Sequence, residues 1–220
     1  CGICGSDLHE YLAGPIFIPT SPHPLTGKSG SVILGHEFTG DVVAVGEGVT
    51  SVRVGDRVAP DACQHCGVCQ PCREGRYNVC EKLAFTGLHN DGAFARFVNV
   101  PAELCYILPD DVDYEAGALM EPLATGFKAV RMAGSILGLT VVVLGAGTIG
   151  LGTIMAAKAA GAGQIIVLEM SRARIAKAKE CGADVVINPK EEDPVAAIKA
   201  LTNGSGADVS FECIGNKHTG

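Results

Sequence analysis

The chain has 220 residues, 47% hydrophobic and 5% aromatic, and its apolar fraction excludes a disordered polymer despite 29 glycines and 11 prolines. Its formal net charge of −7 argues against nucleic acid as a partner. Five of its ten cysteines fall between Cys63 and Cys80 and no signal peptide is recognisable, so metal binding in a reducing, cytoplasmic compartment is expected rather than a secreted disulfide scaffold.

The first segment is Cys1-Gly2-Ile3-Cys4-Gly5-Ser6-Asp7-Leu8-His9. Cys4 is a candidate metal thiolate. Ser6 and His9 follow it in a turn or first helical coil, and a hydroxyl and an imidazole beside a metal can pass a proton to solvent. Taken alone, a Cys and a His so close are better served by structural roles. Residues 11–31 are rich in Pro and Gly and read as an irregular loop that lines a pocket or covers the surface. In Ile33-Leu34-Gly35-His36-Glu37-Phe38, His36 and Glu37 sit between apolar residues. Burying such a pair is costly unless the groups are paired or bound to metal, and taken in isolation a satisfied core histidine is the favoured reading.

Valines alternate with glycines over 40–58, which predicts an antiparallel meander in a small barrel. Cys66, Cys69, Cys72 and Cys80 then have the spacing C-x2-C-x2-C-x7-C. Four thiolates in one short loop surround Zn²⁺ tetrahedrally and leave no position for substrate; two disulfides or free thiols are the other reading. Cys63 is out of register and is taken as a non-ligand. A further strand is expected over 92–100. Glu121 opens a predicted helix to about Met132, with Pro122 in its first turn. There a carboxylate either favours the helix dipole or ligates a metal.

Residues 132–157 carry no charge and are long enough to span a bilayer. Their glycines at 134, 138, 145, 147, 150 and 152 and their strand–turn–helix pattern favour a buried βα unit instead. At its centre an apolar run meets Gly145, Gly147 and Gly150 in the pattern G-x-G-x-x-G. Backbone N–H groups of such a turn, here around Gly145, Gly147, Thr148, Ile149 and Gly150, approach a pyrophosphate at the positive end of the helix. The next strand ends in Glu169, where a carboxylate holds a ribose hydroxyl and repels a phosphate on it. Arg172 and Arg174 follow closely, and an Arg there could accept that phosphate; NAD is the expected preference. Strands near 140–144, 164–168, 184–187 and 207–212 alternate with helices near 148–161, 171–181 and 193–202. This pattern predicts a doubly wound parallel sheet. Four strands are fewer than the usual six, and both ends read as cut, so an internal fragment of a longer protein is expected.

Taken together, these motifs resemble, in identity and order, the zinc-containing medium-chain dehydrogenase/reductase family, closest to its polyol and butanediol branch. The resemblance implies an α/β protein with two domains. Residues 1–134 would form a partly open, GroES-like β-barrel lacking its first strands. Residues 135–220 would form a Rossmann domain with an incomplete second half, and the active site would lie in the cleft between them. By matching motif, Cys4 and His36 would hold a catalytic zinc, with Glu121 third, directly or through water, and Glu37 as an alternate or supporting ligand. Other branches have a Cys in Gly-Cys-Gly at that third place; Glu121-Pro122-Leu123 points to the sorbitol, threonine and butanediol branch. Ser6 and His9 would form a proton relay, and Thr125 would lie near the nicotinamide. The implied reaction is hydride transfer between a secondary alcohol or vicinal diol and NAD. Sorbitol or threonine dehydrogenation, or a non-catalytic zinc- and nucleotide-binding module, are the alternatives. A homo-oligomer, dimer or tetramer, is implied for the full-length protein, with no membrane or nucleic-acid partner.

Overall fold

The computed structural model of the chain describes residues 1–215. It comprises two compact units, Cys1–Glu121 and Pro122–Gly220. In the first, helix α1 (Gly5–Ala13) starts behind Cys4, whose backbone is extended at φ −86°, ψ 157°. The Cys4 N–H donates to Asp7 Oδ2 at 2.8 Å, so the first turn is capped by its own aspartate. This helix buries polar residues: Asp7 and Glu10 face inward, while Leu8 and Leu12 are 51% and 69% exposed. Buried Glu10 accepts the N–H groups of Ile16 (3.1 Å) and Phe17 (2.7 Å), tying the following loop to the helix.

Strands β1 (Gly40–Asp41) and β2 (Arg57–Pro60) pair antiparallel. Strands β3 (Cys63–Gln64) and β4 (Ala84–Phe85) form a separate two-stranded sheet. Strand β5 (Cys105–Ile107) completes the first sheet, in the order β1-β2-β5. The meander expected over 40–58 is therefore shorter than its alternation suggests. Two hydrogen bonds extend it, Val42 N–H to Asp56 O (2.9 Å) and Gly55 N–H to Val42 O (2.8 Å), before the chain turns at Gly55, φ +95°. Val43, Val45 and Val54 then stand 61%, 43% and 60% exposed, with no partner strand opposite them among the described residues. The strand expected over 92–100 is likewise corrected. Gly92, Ala93 and Phe94 donate to carbonyls of Ile33, Gly35 and Leu34 (2.7–2.9 Å), but no ladder continues beyond Phe94. Alternation alone does not make a strand when its hydrogen-bonding edge is left unpaired.

Helix α2 (Gln70–Arg73) and a 3₁₀ turn at Tyr77–Val79 shape the cysteine-rich loop. Helices α3 (Tyr114–Ala118) and α4 (Met120–Met132) follow. From Pro122 onward α4 belongs to the second unit, so the division falls before residue 134. Val130 sits in that unit's core, and a Cβ on Gly126 would lie 2.6 Å from the Thr153 nitrogen, so α4 lies against the next helix backbone to backbone.

The second unit alternates β6 (Thr140–Leu144), α5 (Thr148–Ala159), β7 (Gln164–Leu168), α6 (Arg172–Glu180), β8 (Val185–Ile187), α7 (Pro194–Leu201) and β9 (Val209–Glu212). All four strands are parallel, in the order β8-β7-β6-β9. Val141, Val143, Ile165 and Val167 are fully buried on one face against Ile154 and Ala157 of α5. Val142, Ile166 and Ile187 form a second cluster with Ala197 and Ile198 of α7. Strands covered on both faces read as continuous apolar runs, which is why their ends are legible in the sequence. Among the described residues no helix is long and apolar enough to cross a membrane, and the uncharged stretch around residue 145 is a βα unit.

Candidate metal and nucleotide sites

The fold brings Cys4, His36 and Glu37 together: one ligand atom from each lies within 4.8 Å of the others. Cys4 caps α1, and the His36–Glu37 pair follows Gly35, whose φ is +101°. His36 is 3% and Glu37 9% exposed. A Cβ on Gly2 would lie 2.4 Å from a Glu37 carboxylate oxygen, so Gly2 lets that carboxylate lie close to the backbone. The Ser6 hydroxyl lies 3.4 Å from His36 Nε2, and the Phe85 ring meets the His36 ring edge-on at 6.1 Å. On the other side of the imidazole, Nδ1 lies 3.5 Å from Asp7 Oδ1, and both atoms are buried without any closer partner. A proton on Nδ1 facing Asp7 leaves Nε2 as the acceptor atom beside the Ser6 hydroxyl, which is the arrangement of a histidine held for a metal.

Electrostatics agree. Burial pushes the Cys4 thiol above its ordinary range, the Ser6 hydroxyl and amide oppose that, and the charges of Glu37 and Glu121 push it further up. Burial likewise raises Glu121; His36 opposes this, while Glu37, Asp61 and Asp7 add to it. So many acids around one thiol call for a cation. A sulfur, an imidazole nitrogen and a carboxylate suit Zn²⁺. Glu121 is close enough to feel His36 and Glu37 but is not in the three-residue group, in which Glu37 takes the carboxylate place. His9 is exposed on α1, and Thr125 is exposed on α4. Asp7 and Phe85 escape the sequence reading. The signal for Asp7 is its position three residues after Cys4, where a carboxylate caps the helix. Asp7→Asn is expected to weaken metal binding by about 10- to 100-fold, the usual cost of losing a histidine's supporting carboxylate. A competition titration with a zinc-responsive chelator measures it.

The second group is Cys66, Cys69, Cys72 and Cys80, again with ligand atoms within 4.8 Å. Cys80 Sγ lies 3.6 Å from Cys66 Sγ and 3.8 Å from Cys69 Sγ, too far for a disulfide, and all ten cysteines are free. The N–H groups of Val68 and Cys69 draw the Cys66 thiol down to about 6, while burial and the neighbouring Cys69 push Cys72 up to about 12. Thiols this close cannot all ionise without a cation among them, so this donor set also fits Zn²⁺. Cys63 stays outside the group, and burial and Asp61 hold its thiol up near 12.

The glycine-rich turn lies at the carboxyl end of β6, where neighbours diverge, β7 to one side and β9 to the other. That is the switch point at which such sheets take ligands. A Cβ on Gly150 would lie 2.0 Å from the Gly145 carbonyl oxygen, so Gly150 closes the turn onto the helix. Gly147, by contrast, has open space around it, and no side chain caps α5 there. Thr148 and Ile149 open α5, and the uncapped N–H groups of its first turn can receive a phosphate. Buried Glu169 accepts from the N–H groups of Ala146 (2.9 Å), Met170 (2.8 Å) and Ser171 (2.9 Å) and from the Arg174 guanidinium (2.9 and 3.0 Å). Burial would raise its pKa, but Arg174 and the three amides overcome that and hold it at about 2. A depressed folded-state pKa contributes stability present above the ordinary carboxylate range and lost as pH falls toward 2. Glu169→Gln is expected to cost up to about 3 kcal/mol near neutral pH, with variant and parent converging in strong acid. Urea melts across pH test this.

One unit with two clusters of zinc-type ligands and one with a nucleotide-type parallel sheet define a class: zinc- and dinucleotide-binding α/β proteins. The chain belongs to the zinc-binding alcohol dehydrogenase family: residues 1–110 match the alcohol dehydrogenase GroES-like domain and residues 148–219 match the zinc-binding dehydrogenase domain. It is 48% identical to (R,R)-butanediol dehydrogenase of Bacillus subtilis (strain 168) over 219 residues, covering 98% of this chain and 61% of that protein. It is 41% identical to sorbitol dehydrogenase of the same organism, covering 98% and 59%. The crystal structure of 2R,3R-butanediol dehydrogenase from Bacillus subtilis superposes with a TM-score of 0.88 at 48% identity, covering 98% of this chain and 61% of that one. The chain thus spans about three fifths of the length of these relatives.

Proposed function

We propose that the chain carries the metal and nucleotide sites of a zinc-dependent oxidoreductase that moves a hydride between NAD and a secondary alcohol. A vicinal diol or hydroxyketone of the 2,3-butanediol and acetoin type is the proposed substrate. The observation that carries this reading is the Cys4–His36–Glu37 group with the Ser6 hydroxyl beside it. Zinc held by these residues supplies Lewis acidity toward an alcohol oxygen, and NAD supplies the hydride acceptor. Cys4 and His36 would hold the metal, with Glu37 or Glu121 as the carboxylate partner. Asp7 orients His36 through Nδ1. Ser6 would accept the alcohol proton as it gives up its own hydroxyl proton toward exposed His9, which would release it to solvent. Gly145, Gly147, Thr148, Ile149 and Gly150 would seat the pyrophosphate, and Glu169 with Arg174 the adenosine ribose. Thr125 would serve the nicotinamide side. Ten free cysteines support a reducing, cytoplasmic setting.

The identities to butanediol dehydrogenase and then sorbitol dehydrogenase favour the diol over the polyol reading. Initial rates of the full-length, zinc-loaded protein with NAD and NADP, against 2,3-butanediol stereoisomers, sorbitol and threonine, test both substrate and cofactor. A 2,3-butanediol with NAD is expected to have the highest kcat/KM. Zinc and NAD binding without turnover on any of these would favour a binding module. His9→Ala is expected to slow diol oxidation by about 100-fold near neutral pH and by much less at high pH, where hydroxide replaces the relay. An equal loss at every pH would show that His9 has another role.

A further inference from the structure

We propose that His23 and His89 form a proton-sensitive latch that holds residues 19–31 against residues 85–92. Their rings meet edge-on with centroids 4.8 Å apart. Each imidazole uses Nδ1 as an acceptor: His23 from Leu25 N–H at 3.2 Å, His89 from Phe85 N–H at 3.0 Å. In the latched state each Nδ1 thus serves as a lone-pair acceptor for a backbone N–H.

The same two segments are joined at two further points, and a third bond follows just beyond residue 31. Thr26 Oγ1 donates to the His89 carbonyl at 2.8 Å, Lys28 Nζ pairs with Asp91 at 2.9 Å, and Ile33 N–H donates to Asp91 at 3.0 Å. Residues 19–31 hold little structure beyond backbone bonds among themselves, such as Gly27 N–H to His23 O (2.8 Å) and Gly30 N–H to Pro19 O (2.8 Å). Their seat therefore depends on this strap.

A proton on His89 Nδ1 would turn an acceptor into a donor facing the Phe85 N–H and set a charge against His23. The charged groups around the latch do not compensate. Lys28 and Asp91 neutralise each other, and Glu10 of α1 favours a charged His89 but is already engaged with Ile16 and Phe17. Burial, followed by His23, holds His89 below its ordinary range. The latched state thus takes up the proton less readily than the open one. The latch is intact above the ordinary histidine value of about 6.5 and weakens as pH falls below it. Phe85 is the link to the metal group, because its N–H is held by His89 while its ring packs edge-on to His36. Nothing in the latch requires a bound metal or turnover, so it stands or falls apart from the proposed reaction.

Hydrogen exchange of the full chain at about pH 7.5 and about pH 5.5, corrected for intrinsic exchange rates, tests the latch. Peptides over 19–31 and the Phe85 amide are expected to lose protection by up to about tenfold at the lower pH, the effect of one unit below an ordinary histidine pKa. Peptides over 140–168 are expected to stay unchanged. His89→Asn keeps an oxygen acceptor near the Nδ1 position but does not titrate, so it should retain protection near pH 7.5 and lose the pH response. His23→Phe keeps an edge-on ring without the acceptor and should lose protection at both values. Equal wild-type protection of 19–31 at both pH values would overturn the latch. So would a His89→Asn variant that responds like the parent, or loosening that spreads equally to 140–168.

Discussion

Cys4→Ser in the full-length, zinc-loaded protein is expected to lower turnover by roughly 1000-fold or more while leaving the fold intact, because a Lewis-acid site that loses its thiolate loses its metal. Bound zinc should fall from two equivalents per chain to one, matching the two ligand groups. The fold should survive because Cys4 contributes to α1 through its backbone N–H on Asp7, and a serine keeps that bond. Its side chain serves the cluster with His36 and Glu37 rather than a core. Metal analysis and a urea melt on the same preparation separate the two effects. A variant with full zinc and normal turnover would remove Cys4 from the site. Glu37→Gln and Glu121→Gln extend the test: the geometry places Glu37 in the group, so Glu37→Gln should cost more bound zinc than Glu121→Gln.

What the sequence makes legible here is what is local. Cys66, Cys69, Cys72 and Cys80 lie within one loop, so their spacing alone implies a four-thiolate lobe. Strands β6 and β7 end where their apolar runs end, because both faces are covered and no polar alternation blurs the boundary. The turn Gly145–Gly150 carries its own conformational demand, with φ +90° at Gly145 and no space at Gly150 for a Cβ. What depends on distant partners is not legible. Asp7 becomes the orienting group of His36 only when residues 29 positions apart meet. The valines of 40–58 carry a strand's alternation, yet most of the ladder is missing, since alternation states a face and not a partner. The choice between Glu37 and Glu121 is likewise a matter of where α4 begins relative to His36. His23 and His89 lie in segments that read as irregular, and only the folded chain sets their rings together.

Cys69→Ser is expected to act the other way from Cys4→Ser, on stability first and on activity as a consequence. The loop over 66–80 contains only one turn of α2, a 3₁₀ turn and glycines in left-handed backbone at Gly67 (φ +72°) and Gly75 (φ +74°). Of its four clustered cysteines only Cys80 is buried. A loop with so little apolar burial does not fold through a core of its own, and metal binding is then folding free energy. Cys66 is predisposed to be a thiolate by the amides of Val68 and Cys69, so removing the cation leaves like charges and an unfavourable thiol cluster together. The variant is expected to lose one zinc, to become cleavable within 66–80, and to melt about 10 °C or more below the parent. The parent stripped with a strong chelator should show the same cleavage pattern, whereas the Cys4→Ser variant should not. Retention of both metals and of the parent's melting temperature by Cys69→Ser would mean that the four cysteines do not hold a structural ion, and that the loop is kept by Tyr77, whose hydroxyl donates to Asp61 at 3.0 Å, and its neighbours instead.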